Sequence, residues 1–358
     1  MKLSTRILLM LMCACMILAI PFLVPAPNMT EEAKEMLLES EEEGEDTGDE
    51  IDFGRLFLST ARAEEEDLTV ETLDEGELSA NPDWALPIDF STPPAPDKTK
   101  FTENGYKDEC TEVTIETIEG DHVFWYVAHI RIASPTQLRT AISGKKPAHT
   151  SKMAEVSNAV IAINGDYYMN DPNKTTFEWR MGESLRKTLK GNNTKDILII
   201  DDQGDFHLYP KSGEDGEVFN RKKKGGKTVW EYVYPGTIVN AFTFGPALVI
   251  DGEVQALDDE YGYNRTGSEP RAAIGQTGKL SYVFVIAATT DRKGHTGVNH
   301  KELAQFMYDL GCTQAYNLDG GGSAEIWFNG QILKGSPNDE ERSISDIIYI
   351  ATCVPEGE

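Results

Sequence analysis

The chain after residue 100 is a series of short apolar runs separated by turn residues. Two of these runs, at 113–118 and 123–132, flank a Gly-containing turn at 119–122, which predicts a β-hairpin. Asp251-Gly252 and Asn329-Gly330 are dipeptides typical of tight hairpins. The other predicted strands are residues 159–163, 197–200, 206–209, 247–250, 272–274, 281–287, 314–317, 325–328 and 346–352.

One helix is predicted with defined ends, at residues 299–310. Asn299 and Glu302 form an N-terminal capping pattern, apolar residues follow at helical spacing, and Gly311 ends the pattern. A shorter helix is predicted at 151–157. Many hairpins and few helices predict the α+β class, with mixed, mainly antiparallel sheets in a single domain over 101–358.

The first 25 residues have the pattern of a segment that enters a membrane. Lys2 and Arg6 precede an apolar run at 7–24, which is typical of a signal peptide or a signal anchor. No small-x-small cleavage site follows the run directly, so an uncleaved anchor is favoured over a cleaved signal. The expected location is the cell membrane with the domain outside the cytoplasm, or secretion.

Residues 26–100 have the composition of a disordered, acidic, Pro-containing spacer. The 358-residue chain carries a net charge of -27, and residues 1–100, with 23 acidic and 7 basic residues, supply -16 of it. This stretch is poor in residues that form a core, and its Pro-rich end at 91–96 is typical of a stiff hinge. The acidity of both parts argues against a nucleic-acid partner.

Three cysteines lie beyond the apolar run, namely Cys110, Cys312 and Cys353. They allow at most one disulfide, and the sequence leaves the pairing open. No CxxC metal site is present.

The stretch richest in chemistry runs from Asn317 to Ser323. Asn317 and Asp319 precede three successive glycines, 320–322, just past the end of a predicted strand. Ordering three glycines costs backbone entropy, so they indicate a sharp turn or a close approach of ligand to bare N–H groups. Such N–H groups suit an anion, although a plain turn between strands is the simpler alternative.

A second stretch repeats this arrangement. Asn164, Gly165 and Asp166 follow the buried run 159–163, as Asn317 and Asp319 follow their own strand. Two Asn/Asp pairs at strand ends predict a shared cleft, while ordinary turn chemistry is the alternative.

These segments, taken in order, resemble the phosphodiester glycosidase family, which includes the lysosomal mannose 6-phosphate uncovering enzyme and many bacterial surface proteins. The resemblance rests on Asn-Leu-Asp-Gly-Gly-Gly-Ser at 317–323 and Asn-Gly-Asp at 164–166. It extends to the segments 244–249, 270–275, 297–304 and 342–345, and covers about residues 110–354. Glu325 stands where many relatives have Thr or Ser, and 288–292 replaces a more usual Asp-Gly-Arg. Both departures lie near the predicted cleft, where they bear on the choice of substrate.

The resemblance implies a hydrolase that removes a sugar, N-acetylglucosamine-like, from a sugar-1-phosphodiester on a surface glycan or exopolysaccharide. Glycosidases commonly use two carboxylates, and Asp166 and Asp319 are the candidates, with Glu325 in reserve. His295 is a candidate proton carrier. The substrate-binding candidates are Asn164, Gly165, Arg271, Asn317, Gly320, Gly321, Gly322, Ser323 and Arg342.

Alternatives remain open for several of these residues. Arg271 and Arg342 suit phosphate oxygens, yet each could instead form a salt bridge in so acidic a chain. No cofactor is required; Ca²⁺ is possible but unassigned, because no EF-hand spacing is present. A surface module that binds anionic glycans without cleaving them, or acts in polysaccharide assembly, is the alternative function.

Overall fold

The computed structural model describes residues 92–170, 176–187, 189, 195–257, 267–289, 296–336 and 340–353. The predicted signal anchor, residues 26–91 of the predicted spacer and His295 lie outside these ranges. Within them, no helix is long and apolar enough to cross a membrane.

The largest sheet has eight strands, each antiparallel to its neighbours. The strands, labelled in chain order, lie across the sheet as β1 (Gly105–Lys107), β2 (Thr111–Glu119), β3 (Phe124–Ile132), β16 (Ser281–Ala288), β15 (Arg271–Gly278), β17 (Gln314–Asn317), β13 (Ala247–Ile250) and β14 (Glu253–Val254). The predicted hairpin is confirmed as β2 and β3, with Glu119 pairing with Phe124 next to the turn.

Two five-stranded antiparallel sheets pack with the first. One consists of β7 (Glu183–Lys187), β6 (Phe177–Arg180), β12 (Asn240–Phe244), β8 (Asp196–Ile200) and β9 (Phe206–Tyr209). The other consists of β19 (Gln331–Lys334), β18 (Glu325–Phe328), β5 (Ala159–Asn164), β20 (Asp346–Ala351) and β4 (Leu138–Ile142). A two-stranded ribbon is formed by β10 (Phe219–Lys224) and β11 (Lys227–Tyr232).

One apolar core lies among the three sheets, and it includes Ile130, Ile161, Phe242 and Phe284. The other face of each sheet has its own cover. Helix α1 (Thr150–Val156) packs on the sheet of β5, helix α2 (His300–Asp309) packs on the eight-stranded sheet, and the ribbon packs on the sheet of β6. The α+β class with mainly antiparallel sheets is therefore confirmed.

Helix α2 begins where the capping pattern predicts. The Asn299 side chain accepts a hydrogen bond from the Glu302 N–H at 2.9 Å, and the Glu302 side chain accepts one from the Asn299 N–H at 2.8 Å. Leu303 and Met307 are fully buried, so the predicted apolar face is the packed face. Helix α2 leads through Gly311 into β17, which delivers the glycine-rich stretch.

The structure describes the chain from residue 92, on the N-terminal side of the predicted boundary at residue 101. Pro93, predicted to belong to the spacer, is buried, and its carbonyl accepts a hydrogen bond from Asn158 Nδ2 at 2.8 Å.

The disulfide, whose pairing the sequence left open, joins Cys110 to Cys353. Cys312 is a buried free thiol.

Candidate functional site

Two strand ends meet at the candidate site. Strand β5 ends at Asn164 and β17 ends at Asn317, and the segments that follow them are hydrogen-bonded to each other. Asn164 Nδ2 donates to the Asp319 carbonyl at 2.7 Å, and the Asp319 N–H donates to the Gly165 carbonyl at 3.2 Å. The two Asn/Asp segments that the sequence paired are therefore neighbours in space.

The three glycines after Asp319 differ in what surrounds them. A side chain at Gly320 would place its Cβ 2.7 Å from the Pro270 carbonyl, and one at Gly322 would place it 2.9 Å from Arg342 Nη2. Gly321 has a φ of 62°, in the left-handed region. The groups that approach Gly320 and Gly322 belong to the protein, and the predicted approach of a ligand to this loop stays a prediction.

The predicted anion nest is smaller than three bare N–H groups. The Gly320 N–H donates to Asp319 Oδ1 at 3.1 Å, and the Gly321 N–H donates to the Pro270 carbonyl at 2.8 Å. These two donors hold the loop in place, which corrects the prediction that all three point at a ligand.

Asp319 is the half-buried carboxylate of this loop. Burial raises the pKa of Asp319 to about 6, a shift that the charge of Asp166 reinforces and that Ser323, Arg342 and Gly320 oppose. A carboxyl group with this pKa exchanges protons near neutral pH, as an acid–base catalyst must.

Arg342 is the exposed cation beside Asp319. Its guanidinium lies over Gly322, and its Nη1 is 3.4 Å from the hydroxyl oxygen of the buried Ser323. An exposed guanidinium next to a half-buried carboxylate can meet the phosphate of a ligand while the carboxylate faces the sugar.

Asp166 lies behind Asp319 in a cluster that the sequence did not predict. It is 2% exposed, and its Oδ1 accepts a hydrogen bond from the Tyr168 N–H at 2.9 Å. Its Oδ2 is 3.2 Å from Arg180 Nη2. The charge of Asp166 reaches Asp319, and the catalytic role of this buried carboxylate stays a prediction.

Arg180 is surrounded by three carboxylates from three segments. Besides Asp166, it contacts Asp346 Oδ2 through Nε at 2.6 Å and Glu178 Oε2 through Nη1 at 3.2 Å. Arg180, Glu178 and Asp346 are all fully buried, and the guanidinium carbon lies 3.9 Å from the centre of the Phe242 ring. One buried cation faces three acidic groups, so at least one of them gains by holding a proton.

Glu178 is one of the groups on which this proton is favoured. Burial first, and then the charge of Asp166, raises the pKa of Glu178 well above its ordinary value. Glu178 Oε1 and Asp166 Oδ2 are both buried without a hydrogen-bond partner among the described residues. A proton on Glu178 turns one of these two acceptors into a donor for the other.

Asp346 links the cluster to the Asn-Gly-Asp segment. Its carbonyl accepts a hydrogen bond from the Gly165 N–H at 2.8 Å, and a Cβ at Gly165 would lie 2.4 Å from its Oδ1. Burial raises the pKa of Asp346 to about 7, against the charge of Arg180. Gly165 is therefore needed for close packing against a carboxylate, and its predicted contact with substrate is untested.

Glu325, the reserve carboxylate, lies on β18 and is 1% exposed. It accepts a hydrogen bond from Thr150 Oγ1 at 2.5 Å, at the start of α1. Burial raises the pKa of Glu325 to about 8, so it is protonated at neutral pH. The hydrogen bond of this buried acid joins β18 to the start of α1, which is a structural role. The catalytic role of Glu325 stays a prediction.

The two asparagines are buried parts of the framework. Asn164 uses Nδ2 for Asp319 and accepts from the Glu325 N–H through Oδ1 at 3.2 Å. Asn317 donates through Nδ2 to the Gly245 carbonyl at 2.9 Å, while its buried Oδ1 has no partner among the described residues. These bonds engage both side-chain amide groups of Asn164 and Asn317 in the framework, apart from Asn317 Oδ1, and their predicted contact with substrate stays a prediction.

Arg271 forms the salt bridge that was the alternative to phosphate binding. Its Nη1 lies 2.7 Å from Glu269 Oε1 and 2.9 Å from His300 Nε2. Nε donates to the Val298 carbonyl and Nη2 to the Gly267 carbonyl, each at 3.2 Å. With four N–H groups engaged and only 4% exposure, Arg271 is not the open fork for phosphate that the sequence predicted.

His300 is a further residue that the sequence analysis did not single out. Burial and the charge of Arg271 lower the pKa of His300 to about 3, so its ring is neutral and Nε2 accepts from the guanidinium. His300, which the sequence analysis included only within the segment 297–304, thus orients Arg271.

No metal site is evident in the part of the chain that the structure describes. No group of three or more His, Cys, Asp or Glu side chains there is arranged to hold a metal ion. Ca²⁺ therefore stays unassigned, and His295, outside the described residues, stays a prediction.

Comparison with known proteins places these features in a family. The family model described as phosphodiester glycosidase matches residues 157–351, more than half of the chain. An uncharacterised SPbeta prophage-derived protein of Bacillus subtilis is 22% identical over 202 residues, which is 56% of this chain and 29% of that protein. The chain thus matches less than a third of the length of this relative.

Two solved structures are similar at low identity. A hypothetical protein from Synechocystis has a TM-score of 0.48 at 16% identity, over 68% of this chain and 62% of its own. The zebrafish N-acetylglucosamine-1-phosphodiester alpha-N-acetylglucosaminidase catalytic domain, auto-inhibited by its pro-peptide, has a TM-score of 0.45 at 17% identity, over 68% and 83%. With the family model matching over the segments that form the site, this chain belongs to the phosphodiester glycosidase family.

Proposed function

We propose that the protein hydrolyses a sugar-1-phosphodiester by breaking the bond between the anomeric carbon and the phosphate oxygen. The observation that carries the proposal is the joining of two strand ends, which brings Asp319 under the influence of both the buried Asp166 and the exposed Arg342. An acid–base carboxylate and an anion-binding cation are the two groups that this reaction needs.

The proposed roles follow from exposure. Asp319, half-buried, acts on the sugar, where positive charge develops at the anomeric carbon in the transition state. Arg342, exposed, stabilises the negative charge that grows on the leaving phosphate. Asp166, buried, is a positioning residue whose charge keeps the pKa of Asp319 raised.

The proposed substrate carries an N-acetylglucosamine-like sugar on a surface glycan or exopolysaccharide, and family membership supports this choice. The test is release of free sugar from a panel of sugar-1-phosphodiesters that differ only in the sugar, α-N-acetylglucosamine included. Free sugar from at least one of them is expected. A new glycoside in place of free sugar would indicate a transferase, and no product from any would favour the non-catalytic glycan-binding module.

We also propose that the domain is exported and stays attached to the cell membrane through the apolar run at 7–24, because two cations precede this run. N-terminal sequencing of the cell-associated protein is expected to find the segment retained. A mature chain that starts between residues 20 and 65 would show cleavage and contradict the anchor.

A further inference from the structure

The ribbon of β10 and β11 carries the densest positive charge in an acidic protein. Arg221, Lys222, Lys223, Lys224 and Lys227 lie within seven residues, with no acidic residue among them, and all five are exposed. Residues 101–358, by contrast, carry a net charge of -11 even with these cations included.

The base of the ribbon is fixed to the domain by aromatic side chains. Phe219 packs edge-on against Phe177 at 5.1 Å between ring centres, and Tyr232 stacks on Phe177 at 5.6 Å. Trp230 completes this cluster on the sheet of β6. An isolated two-stranded ribbon is marginally stable in water, so this packing is what holds the charged end in place.

The side chains of β6 divide between the two faces of the sheet. Phe177 belongs to the apolar cluster beneath the ribbon, whereas Arg180 lies over Phe242 of the central core. Successive side chains of a strand point to opposite faces, so the ribbon and the Arg180 cluster lie on opposite faces of one sheet. The ribbon is therefore a separate feature from the candidate site.

Two positive charges face each other at the end of the ribbon, which lowers its stability. Lys224 lies directly opposite Lys227 across the turn at Gly225 and Gly226, and like charges in this position destabilise a ribbon. Lys222 pairs with Glu231, but no described carboxylate lies within ion-pair distance of Lys223, Lys224 or Lys227. Three lysines thus remain available to an anionic ligand.

An acidic protein repels an anionic substrate at long range, and a cationic element offsets this repulsion locally. We propose that the ribbon binds phosphate groups along a phosphodiester-linked polymer, the carrier of the sugar-1-phosphate that the candidate site cleaves. The second contact holds the polymer at the protein and raises the effective concentration of its cleavable ends. This inference rests on the proposed function for the identity of the ligand, but binding by the ribbon does not depend on catalysis.

The test compares two triple variants of equal net charge in the full chain. One replaces Lys223, Lys224 and Lys227 with Gln, and the matched control replaces Lys98, Lys145 and Lys301, which are exposed on other elements. Both are made in the Asp319→Asn background, and binding of poly(glycerol phosphate) is measured by calorimetry at an ionic strength of about 0.15 M. The ribbon variant is expected to bind about 3- to 100-fold more weakly, because each exposed ion pair contributes a factor of about 1.5 to 5. The control is expected to bind like its parent.

Equal binding by both variants would overturn the inference. The acidic stretch at 31–50 would then be the next ligand of the ribbon to test. Tighter binding of an oligonucleotide of equal charge would overturn the choice of polymer. In the catalytically intact protein, the ribbon substitutions are expected to lower kcat/KM for a polymeric substrate and to leave a small sugar-1-phosphodiester unaffected. If wild type cleaves nothing while ribbon-dependent binding persists, the proposed function fails and the ribbon inference stands.

Discussion

Replacing Asp319 with Asn is expected to lower kcat/KM for a sugar-1-phosphodiester by about 10²–10⁴-fold, the usual effect of losing an acid–base group. The amide keeps the size of the side chain and an oxygen for the Gly320 N–H, but it cannot exchange a proton at pH 6. Asp202→Asn, on an exposed turn, is the matched control and should leave kcat/KM unchanged. Full activity of Asp319→Asn on a substrate that wild type hydrolyses would remove Asp319 from the mechanism.

This loss is not expected to come from unfolding. Burial raises the pKa of Asp319 from 3.8 to about 6, so the ionised form is less favourable in the folded than in the unfolded protein. Wild type therefore loses stability as the pH rises from about 4 to about 6, and the Asn variant lacks that loss. Across this range the melting temperature of the variant should rise relative to that of wild type.

Asp166→Asn separates a positioning role from a structural one. The charge of Asp166 helps to raise the pKa of Asp319, so its removal is expected to move the limb of the kcat/KM profile near pH 6 to lower pH. A merely structural role would lower kcat/KM at every pH without moving this limb.

Arg180→Met is expected to lower the free energy of unfolding by about 3–5 kcal/mol at pH 8, the typical cost of removing one partner from a buried ion pair. The three carboxylates would lose their only cation within the buried cluster that the described residues form. The raised folded-state pKa values of Glu178 and Asp346 would rise further, and the folded protein would bind more protons than the unfolded one. The loss should therefore be smaller at pH 5 than at pH 8, as chemical denaturation can measure.

Glu178→Gln is the matched control for Arg180→Met. Gln resembles the protonated form of Glu178, which the raised pKa of this group favours, so this variant is expected to be about as stable as wild type at pH 8. Adding this substitution to Arg180→Met should change the stability of that variant little, because Gln replaces an acid whose neutral form is already favoured. Wild-type stability of Arg180→Met at pH 8 would contradict this view of the cluster.

The sequence predicts the fold well where local chemistry determines it. Turn residues predict the β2–β3 hairpin, and the Asn299–Glu302 capping pair predicts the start of α2. The structure has both. The boundary at residue 101 was placed too late because the Pro-rich composition around Pro93 does not reveal a tertiary contact with Asn158.

The candidate site is predicted in part. The sequence predicts that the Asn164 and Asp319 segments lie together, because each follows a strand with a similar Asn/Asp pattern. Arg180 and Glu178 were missed because a strand that alternates Phe177 and Trp179 with charged residues resembles a strand with one solvated face. Here the charged face of the strand is buried. Burial of Arg180 depends on its ion pairs with Asp166 and Asp346, which are distant in sequence.

The central claim is that the anomeric C–O bond breaks, and hydrolysis in ¹⁸O-labelled water tests it most directly. Attack at the anomeric carbon puts the solvent oxygen on the sugar, and the released phosphate keeps its original oxygens. Mass spectrometry of the products is expected to show ¹⁸O in the free sugar alone. Label in the phosphate product would mean attack at phosphorus, and the protein would then be a phosphodiesterase and not a glycosidase.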